Sequence, residues 1–378
     1  MSWDDWQNIY VSGSHRMDAL FSSPWRVLSK KAADDGLELP AGVEARPDLP
    51  QGPFVRLTDG TIAGRDGDRI RRSANGGAHW DEGVRFGGEN YKATPEGAIG
   101  AAEDGSLVFG FSDRSRKLMP DWAWGDLWAT MPAAKLPCCV ARSPDGGKTW
   151  EALRTLHEDL TGSVRDMIRT RTGRLVMTSM KLLYQPARHG CMTYCSDDQG
   201  ATWQASNVLD FGGIGHHDGA IEPSIVELED GSIYMLIRTN WHQFWYAMSW
   251  DGGAHWHTMG PTGIDASTAP GLLLRLQSGR IALVWNRLHS SRGPSAKWQI
   301  GGDMQLSATA CNNFREELSI SFSEDECKSW SPPRVIARKP EGELAYPYLF
   351  EPQPGVLWVN TQPNFGGLRL ELSEEAFL

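Results

Sequence analysis

Short apolar segments that alternate with polar residues recur along the whole chain, and pairs of them are joined by a tight turn containing glycine. Gly173-Arg-Leu-Val-Met-Thr178 and Gly355-Val-Leu-Trp-Val-Asn360 are two of the segments that follow such a turn. A period of two residues is typical of strands, and a glycine turn between two such runs is typical of an antiparallel hairpin. The pattern therefore predicts six hairpins, with turns at Asp59-Gly60, Asp104-Gly105, Thr172-Gly173, Asp230-Gly231, Ser278-Gly279 and Pro354-Gly355.

A second motif, of the form Ser-x-Asp-x-Gly-x-Thr-Trp, follows five of these hairpins. Its copies span 73–80, 143–150, 196–203, 249–256 and 323–330. The aspartate can accept the amides of a tight turn, the glycine permits positive φ, and the tryptophan packs beneath the next strand. The motif is therefore interpreted as structural. Asn75 is expected to make the same turn in the first copy, whereas Cys327, in place of glycine, is expected to strain or reshape the fifth.

Together the two motifs define a repeating unit of four strands: strand, glycine turn, strand, loop, strand, motif, strand. Six such units predict an all-β fold, a six-bladed β-propeller of four-stranded antiparallel blades, in a single domain over 1–378. The sixth unit lacks its outer strand. A segment within about 1–45, with Asn8–Val11 and Trp25–Ser29 as candidates, is expected to complete that blade and close the ring.

Charge and composition narrow the class of partner. The formal net charge is −10 over 378 residues and the basic residues form no run, so no nucleic-acid or anionic-membrane surface is predicted. The first residues lack the basic and apolar regions of a signal peptide, which favours a cytoplasmic protein. Six cysteines without zinc-type spacing are expected to be reduced thiols, and neither a metal nor an organic cofactor is expected.

Blade topology predicts which side of the disc binds a ligand. In an up-and-down blade the glycine turns and the motif turns share one side, while the other collects the connections between blades and the insertions at 112–138 and 290–313. Long structured loops are disproportionately functional, so this second side is the predicted binding face. Acids, bases and a tyrosine from different blades reach it: Glu96, Arg165, Asp166, His216, His217, Asp218, Glu222, Asp265, Tyr346, Arg114, Lys181, Arg238, Arg287 and Arg315.

The five motif copies are similar to the Asp-box, or BNR repeat, and the chain resembles the sialidase (neuraminidase) superfamily. That resemblance implies a tyrosine nucleophile paired with a glutamate, three arginines around a sugar carboxylate, and an aspartate acid/base. Glu222 and Arg238, at the two ends of one hairpin, match the glutamate and the second arginine. Tyr346 in Leu344–Leu349 matches the nucleophile, and Arg315, eight residues before the last motif copy, matches the third arginine.

Two elements of the family pattern are missing. The Arg-Ile-Pro signature of the first arginine is replaced by the segment that ends at Arg56, and the loop of the acid/base is short, leaving Asp66 or Asp68 as weak substitutes. His216, His217 and Asp218 are therefore candidates for proton transfer, since imidazole has a suitable pKa. Candidate substrate-binding residues are Arg238, Arg315, Arg287, Arg165, Asp166 and Trp241.

The function predicted first is a sialidase-like, exo-acting glycoside hydrolase that acts on a terminal acidic sugar, either sialic acid or a uronic acid, of a glycan or oligosaccharide. A lyase acting on uronates and a non-catalytic carbohydrate-binding propeller are the alternatives, because a fold does not determine a function. The expected partner is the carbohydrate substrate, and self-association into a homo-oligomer remains an alternative to a monomer.

Overall fold

Six sheets of four antiparallel strands dominate the computed structural model, which describes residues 36–88, 90–118, 134–215, 218–293 and 311–378, and the backbone of 298–300 and 310. The predicted six-bladed, all-β propeller is thereby confirmed. Residues Leu37–Leu378 form one compact unit. Helical structure in the described residues is limited to two short 3-10 turns, Arg114–Arg116 and Glu375–Phe377. Within this described part, no helix is long and apolar enough to cross a membrane.

Each blade runs through the four strands in sequence order from the channel outward. Blade 1 contains β2 (Phe54–Arg56), β3 (Ile62–Asp66), β4 (Arg69–Ser73) and β5 (Val84–Arg85). Blade 2 contains β6 (Ala98–Ala101), β7 (Leu107–Ser112), β8 (Cys138–Ser143) and β9 (Arg154–His157). Blade 3 contains β10 (Met167–Arg169), β11 (Leu175–Leu183), β12 (Arg188–Ser196) and β13 (Gln204–Ala205). Blade 4 contains β14 (Ile221–Glu227), β15 (Ile233–Arg238), β16 (Gln243–Ser249) and β17 (His257–Asp265). Blade 5 contains β18 (Leu272–Arg275), β19 (Ile281–Trp285), β22 (Glu317–Ser323) and β23 (Arg334–Arg338).

Blade 6 combines the two ends of the described chain. It contains β24 (Pro347–Gln353), β25 (Val356–Thr361) and β26 (Arg369–Ser373), and its outer strand is β1 (Val43–Ala45), in which Val43 pairs with Leu372. The two candidate segments named from the sequence, Asn8–Val11 and Trp25–Ser29, lie outside the described residues. The insertion at 290–313 carries an extra antiparallel pair, β20 (Trp298–Ile300) with β21 (Ala310–Asn312).

The repeated turns adopt the conformations that their sequences predict. All six hairpin glycines have positive φ, between 74° and 91°. In every copy of the motif the first serine donates to the Asp or Asn side chain, and that side chain accepts the amide four residues further on, at 2.8–2.9 Å. Asn75 makes this turn as predicted. Cys327 keeps these bonds at φ +64°, so the fifth turn is not reshaped although a residue with a Cβ occupies the left-handed region.

Hydrophobic residues lie between neighbouring blades rather than in one central core. Six of the buried clusters in the described residues lie between adjacent blades, one for each pair around the ring. The cluster between blades 6 and 1 joins Phe54 and Ile62 to Phe350 and Trp358, so the ring is closed by packing as well as by strand pairing. Because every blade is fastened on both sides, the loops at the channel mouth are held on a rigid frame.

Replacing Gly77 by alanine is expected to destabilise this closure. A Cβ at Gly77 would meet Trp358 Cη2 at 2.3 Å, and φ there is +92°. The left-handed backbone costs about 1–2 kcal/mol with a side chain, and overpacking adds about 1–3 kcal/mol. Gly60→Ala is the matched control, because Gly60 has φ +86° and nothing within 4 Å of its Cβ position. Urea unfolding of both variants measures the difference, and equal losses would contradict the packing argument.

The six cysteines are unpaired, as predicted, and five of them are buried. Burial raises the pKa of the Cys138 thiol to about 12. Cys191 and Cys195 both lie on β12, in the hydrophobic cluster between blades 3 and 4. These thiols serve as apolar packing groups.

Candidate active site

Residues that enter the inner strands of four different blades meet at one mouth of the central channel. Glu96 precedes β6 of blade 2, Arg165 precedes β10 of blade 3, Glu222 is the second residue of β14 in blade 4, and Tyr346 directly precedes β24 of blade 6. Strand entries of this kind lie on the face that topology predicts for binding. Such convergence of acids, bases and a phenol from distant parts of the chain is the usual mark of an active site.

Arg238, the last residue of β15, joins two of these groups. Its Nη1 atom donates to a Glu222 carboxylate oxygen at 2.5 Å and to Tyr346 Oη at 3.2 Å. The Arg238 and Glu222 side chains are only 1% and 8% exposed, so this is a buried ion pair. A single guanidinium nitrogen therefore holds the carboxylate and the phenol beside one another.

Neighbouring polar groups hold the rest of the Arg238 guanidinium. Its Nη2 and Nε donate to Thr268 Oγ1 at 2.7 and 3.2 Å. The Thr268 hydroxyl in turn donates to the Asn240 side-chain carbonyl at 2.7 Å. Because bonds from three directions fix the guanidinium plane, the position of Glu222 relative to Tyr346 is preorganised.

The backbone is strained at both ends of this contact. Glu222 has φ +46° and Tyr346 has φ +60°, in the left-handed region that residues with a Cβ rarely adopt. At Glu222 the strain accompanies a bulge in the pairing of β14 with β15, between Ile221 and Ser224. Strain of about 1–3 kcal/mol per residue persists where it aims a functional side chain, and here it turns both side chains toward the mouth.

The Tyr346 ring is clamped by three neighbours. Phe365 stacks on it with ring centroids 4.4 Å apart and an interplanar angle of 14°. The guanidinium carbons of Arg165 and Arg315 lie 5.3 and 5.7 Å from the ring centroid. Arg315 is also held by the Thr268 carbonyl, to which its Nη2 donates at 2.8 Å. Tyr346 is 4% exposed, and its ring has little freedom to leave this position.

Arg165 is buried between two tyrosines. Its guanidinium carbon lies 5.3 Å from the Tyr346 ring centroid and 5.1 Å from that of Tyr348, and its Nη2 donates to the Pro347 carbonyl at 2.9 Å. Within the described part of the chain, its Nε and Nη1 atoms are buried without a hydrogen-bond partner. An arginine that is 1% exposed and has unpaired donors is suited to receive an anionic ligand.

Tyr348 lies two residues beyond Tyr346, on β24, and connects two blades. Its hydroxyl accepts the Gly97 amide at 3.1 Å, which links blade 6 to blade 2. Arg165 and Tyr348 also line a channel cavity of about 490 Å³ between the inner strands. The candidate site therefore adjoins the central channel.

Glu96 is half-buried at the same mouth, and the segment that carries it is held by Arg65 of β3. The Arg65 Nη atoms donate to the carbonyls of Thr94 at 2.7 Å, Pro95 at 2.6 Å and Glu96 at 3.3 Å. Its Nε donates to the Gly67 carbonyl at 2.8 Å. Arg65 is thus a positioning residue for the Glu96 segment.

The surroundings of the Glu96 carboxyl favour its protonated form. Removal from water raises the pKa of Glu96, and the negative charge of Glu222 raises it further, whereas Arg165 and the Gln362 amide lower it. The net effect is a pKa above the ordinary value for glutamate. A carboxyl group whose pKa is raised in this way is better suited to donate a proton than an ordinary glutamate.

Asp218, one of the three candidates for proton transfer, forms hydrogen bonds with the backbone. It is 1% exposed, and its carboxylate accepts the amides of Gly219 at 2.8 Å and Ile214 at 3.2 Å. These bonds hold the loop that precedes β14. His216 and His217 lie outside the described residues, so their predicted role stays a prediction.

Two of the predicted substrate-binding residues lie away from the Tyr346 contact. Arg287 pairs with Asp265, its Nη2 atom 3.0 Å from the carboxylate. Trp241 belongs to a half-buried aromatic cluster with Phe211 and Trp245, at centroid distances of 6.0 and 5.2 Å. Trp241 follows Arg238 by three residues, so the cluster borders the mouth.

Asp166 connects two neighbouring blades at the channel wall. Its carboxylate accepts the Ser224 hydroxyl at 2.7 Å and the Ile225 amide at 2.9 Å, which ties blade 3 to blade 4. Burial raises the pKa of Asp166, and these hydrogen bonds oppose the rise. Asp166 lines the channel cavity below the mouth.

The two elements of the family pattern that are missing from the sequence are also missing from the described site. Asp66 and Asp68 lie in the tight β3–β4 hairpin and pair with Arg71 and Arg85, at 3.4 and 3.1 Å. Arg56 donates to backbone carbonyls, including that of Pro352. None of these three side chains takes part in the contacts around Tyr346 described above.

Several residues of the site carry no recognisable signal in the sequence. Topology places Glu96 on the binding face but indicates no role for it, and Thr268, Tyr348 and Gln362 belong to no motif of the sequence. Thr268 and Tyr348 act through contacts with other blades, which sequence spacing does not indicate. The raised pKa of Glu96 depends first on burial and then on the negative charge of Glu222, which are also tertiary properties. Within the described residues, no group of three or more His, Cys, Asp or Glu side chains could hold a metal ion.

Comparison with known proteins agrees with this architecture. Residues 122–359 match the model of the BNR repeat-like domain, and the chain belongs to that family. A search of curated proteins gives no match.

Solved structures share the fold at low sequence identity. A protein of unknown function from Dyadobacter fermentans is 17% identical with a TM-score of 0.60, and the match covers 89% of this chain and 98% of that one. The Hadza microbial sialidase Hz136 is 15% identical with a TM-score of 0.60, covering 87% of this chain and 66% of that one. The NanB sialidase from Streptococcus pneumoniae, as its K499G mutant, is 14% identical with a TM-score of 0.57, covering 90% and 71%. The fold is therefore that of a sialidase-like BNR propeller.

Proposed function

We propose that the protein is an exo-acting glycosidase that removes a terminal acidic sugar, a sialic acid or a uronic acid, from a glycan or oligosaccharide. The observation that carries this proposal is the shared contact of Arg238 Nη1 with the Glu222 carboxylate and the Tyr346 hydroxyl, at 2.5 and 3.2 Å. A phenol and a carboxylate held side by side form a nucleophile and its base.

The chemistry follows from the charges of these groups. The anomeric carbon of a sialic acid bears a carboxylate that repels an anionic Asp or Glu nucleophile, whereas the neutral phenol of Tyr346 approaches it with less repulsion. As the Tyr346 oxygen attacks, Glu222 accepts its proton. The Arg238 guanidinium stabilises the negative charge that develops on the phenolic oxygen.

An acidic substrate fits the balance of charge at the mouth. Arg165, Arg238 and Arg315 supply three guanidinium groups around Tyr346. The carboxyl groups beside them in the described residues are Glu222, which is paired with Arg238, Glu343, which lies 4.0 Å from Arg315, and Glu96, whose pKa is raised by burial. The excess positive charge favours a sugar carboxylate. Two solved structures with this fold are sialidases, which supports sialic acid as one of the two candidates.

Burial of the reacting groups supports action on chain ends. Tyr346 and Glu222 are 4% and 7% exposed. This favours a terminal sugar, which can be inserted into the site, over an internal sugar, which has to lie along the surface.

The test is an assay of the purified full-length protein against nitrophenyl glycosides of sialic acid and of uronic acids. Release of nitrophenol by the wild type is expected, with a loss of about 10²- to 10⁴-fold in Glu222→Gln, because a general base contributes that much. Glu229→Gln is the matched control, because this exposed glutamate lies at the opposite end of the same blade, beside the Asp230-Gly231 turn. Its activity is expected to equal that of the wild type.

The other two functions considered from the sequence give different results in the same assay. A lyase would form unsaturated products from oligouronates, seen as ultraviolet absorbance without release of nitrophenol. A carbohydrate-binding propeller would release nothing from any glycoside, and Glu222→Gln would leave its binding of the sugar unchanged. Either result contradicts the glycosidase proposal.

A further inference from the structure

Cleavage of a glycoside with a poor leaving group needs a proton donor. In the family pattern an aspartate on the β3–β4 loop supplies the proton, and that loop is short here. The β3–β4 connection is a tight hairpin in which Asp66 and Asp68 are paired with Arg71 and Arg85. The Asp218 carboxylate is occupied by backbone amides.

Glu96 lies at the entry to the inner strand of blade 2, next around the ring from the Arg165 entry of blade 3. The Arg165 guanidinium lies over the rings of Tyr346 and Tyr348. The backbone of the Glu96 segment is fixed by three carbonyl bonds from Arg65, and the adjacent Gly97 amide is bonded to the Tyr348 hydroxyl. These contacts hold the half-buried Glu96 next to Tyr348, whose ring the Arg165 guanidinium contacts.

In the described residues, the titratable or charged groups that act on Glu96 belong to other blades. They are Arg65 of β3, Arg165 before β10, Glu222 of β14 and Tyr348 of β24, together with the uncharged Gln362 after β25. Burial and the negative charge of Glu222 raise the pKa of Glu96, which favours its carboxyl group as a proton donor. Glu222 is paired with Arg238, so Glu96 is the carboxyl group left for this role.

We propose that Glu96 is the acid/base catalyst of this site, taking the place of the family's aspartate. This inference rests on the proposed glycosidase function. In the first step the Tyr346 oxygen bonds to the anomeric carbon, Glu222 accepts the phenol proton, the glycosidic bond breaks, and Glu96 gives its proton to the departing oxygen. In the second step Glu96 takes a proton from a solvent water as that water attacks the anomeric carbon. The bond to Tyr346 then breaks and Glu222 returns its proton to the phenol.

The experiment compares leaving groups in Glu96→Gln. Protonation matters greatly for a methyl glycoside, whose alkoxide is a poor leaving group, and little for a 4-nitrophenyl glycoside of the same acidic sugar. For Glu96→Gln, kcat/KM is expected to fall by about 10²- to 10⁴-fold with the methyl glycoside and by less than about tenfold with the nitrophenyl glycoside. The alkaline limb of the wild-type pH profile, where Glu96 loses its proton, is expected to be absent in the variant.

Glu103→Gln is the matched control, because Glu103 is exposed in the β6–β7 turn of the same blade, on the opposite side of the disc. It is expected to keep the wild-type ratio of the two substrates. Equal losses with both leaving groups in Glu96→Gln, with unfolding unchanged, would overturn the role of Glu96 and leave the glycosidase proposal intact. Absence of turnover by the wild type on any acidic glycoside would overturn both.

Discussion

Tyr346→Phe is expected to lower kcat by about 10³-fold or more on the acidic glycoside that the wild type cleaves. The substitution removes only the hydroxyl that bonds to Arg238 at 3.2 Å. The ring can keep its stack on Phe365 and its contacts with the two arginines, so the fold is expected to be retained. Loss of a nucleophile costs more than loss of a group that only assists it. Steady-state kinetics and a urea unfolding curve on the same preparation measure the two effects separately.

A second measurement identifies the covalent step directly. Acid quenching during turnover is expected to trap a sugar on the wild-type protein, with the added mass located on the peptide that contains Tyr346. Tyr246→Phe is the matched control, because this half-buried tyrosine stacks on Tyr234 at 5.6 Å, on strands of blade 4. It is expected to keep both turnover and the trapped adduct. Full activity in Tyr346→Phe would refute the assignment of the nucleophile.

Arg238→Met is expected to cause a large loss of stability in addition to loss of activity. Removing the guanidinium leaves the Glu222 carboxylate buried without its partner, and breaking a buried ion pair in this way costs about 3–5 kcal/mol. The free energy of unfolding from urea titration measures the loss. The double variant Arg238→Met/Glu222→Gln is expected to recover part of it, because no charge is then left buried alone.

An ion pair at the surface provides the control for the loss of stability in Arg238→Met. Arg292 and Glu38 are paired at 2.5 Å with side chains 63% and 44% exposed, so Arg292→Met is expected to cost about 0–1 kcal/mol. A loss in Arg238→Met no larger than this would show that water or another cation compensates Glu222.

Local patterns account for most of what could be predicted. The hairpin glycines and the motif aspartates act within a few residues, so their turns are recognisable from spacing alone, and Asn75 was correctly expected to serve as an aspartate would. Glu222 and Arg238 belong to one hairpin, in which Ile221 pairs with Arg238. Their proximity therefore follows once the hairpin is predicted. Cys327 shows the limit of prediction from local patterns. The hydrogen bonds of its turn hold this residue at φ +64° although it has a Cβ.

Contacts between distant segments could not be predicted in the same way. The outer strand of blade 6 is a three-residue segment, Val43–Ala45, too short to show a period of its own. Asp218 has a carboxylate, as a catalytic residue would, but that carboxylate accepts hydrogen bonds from backbone amides. Trp241 contacts the rings of Phe211 and Trp245, and Arg287 pairs with Asp265; spacing along the chain indicates neither contact.

By itself, the sequence determined the number of blades, their strand order and the face on which polar residues collect, because turns and alternating strands are encoded within a few residues of one another. Only the tertiary structure decided that one nitrogen of Arg238 joins Glu222 to Tyr346, that Tyr348 bonds the Gly97 amide of another blade, and that burial and the charge of Glu222 raise the pKa of Glu96. These are distances between blades that closure of the ring brings together, and they depend on side-chain packing across the channel rather than on spacing along the chain.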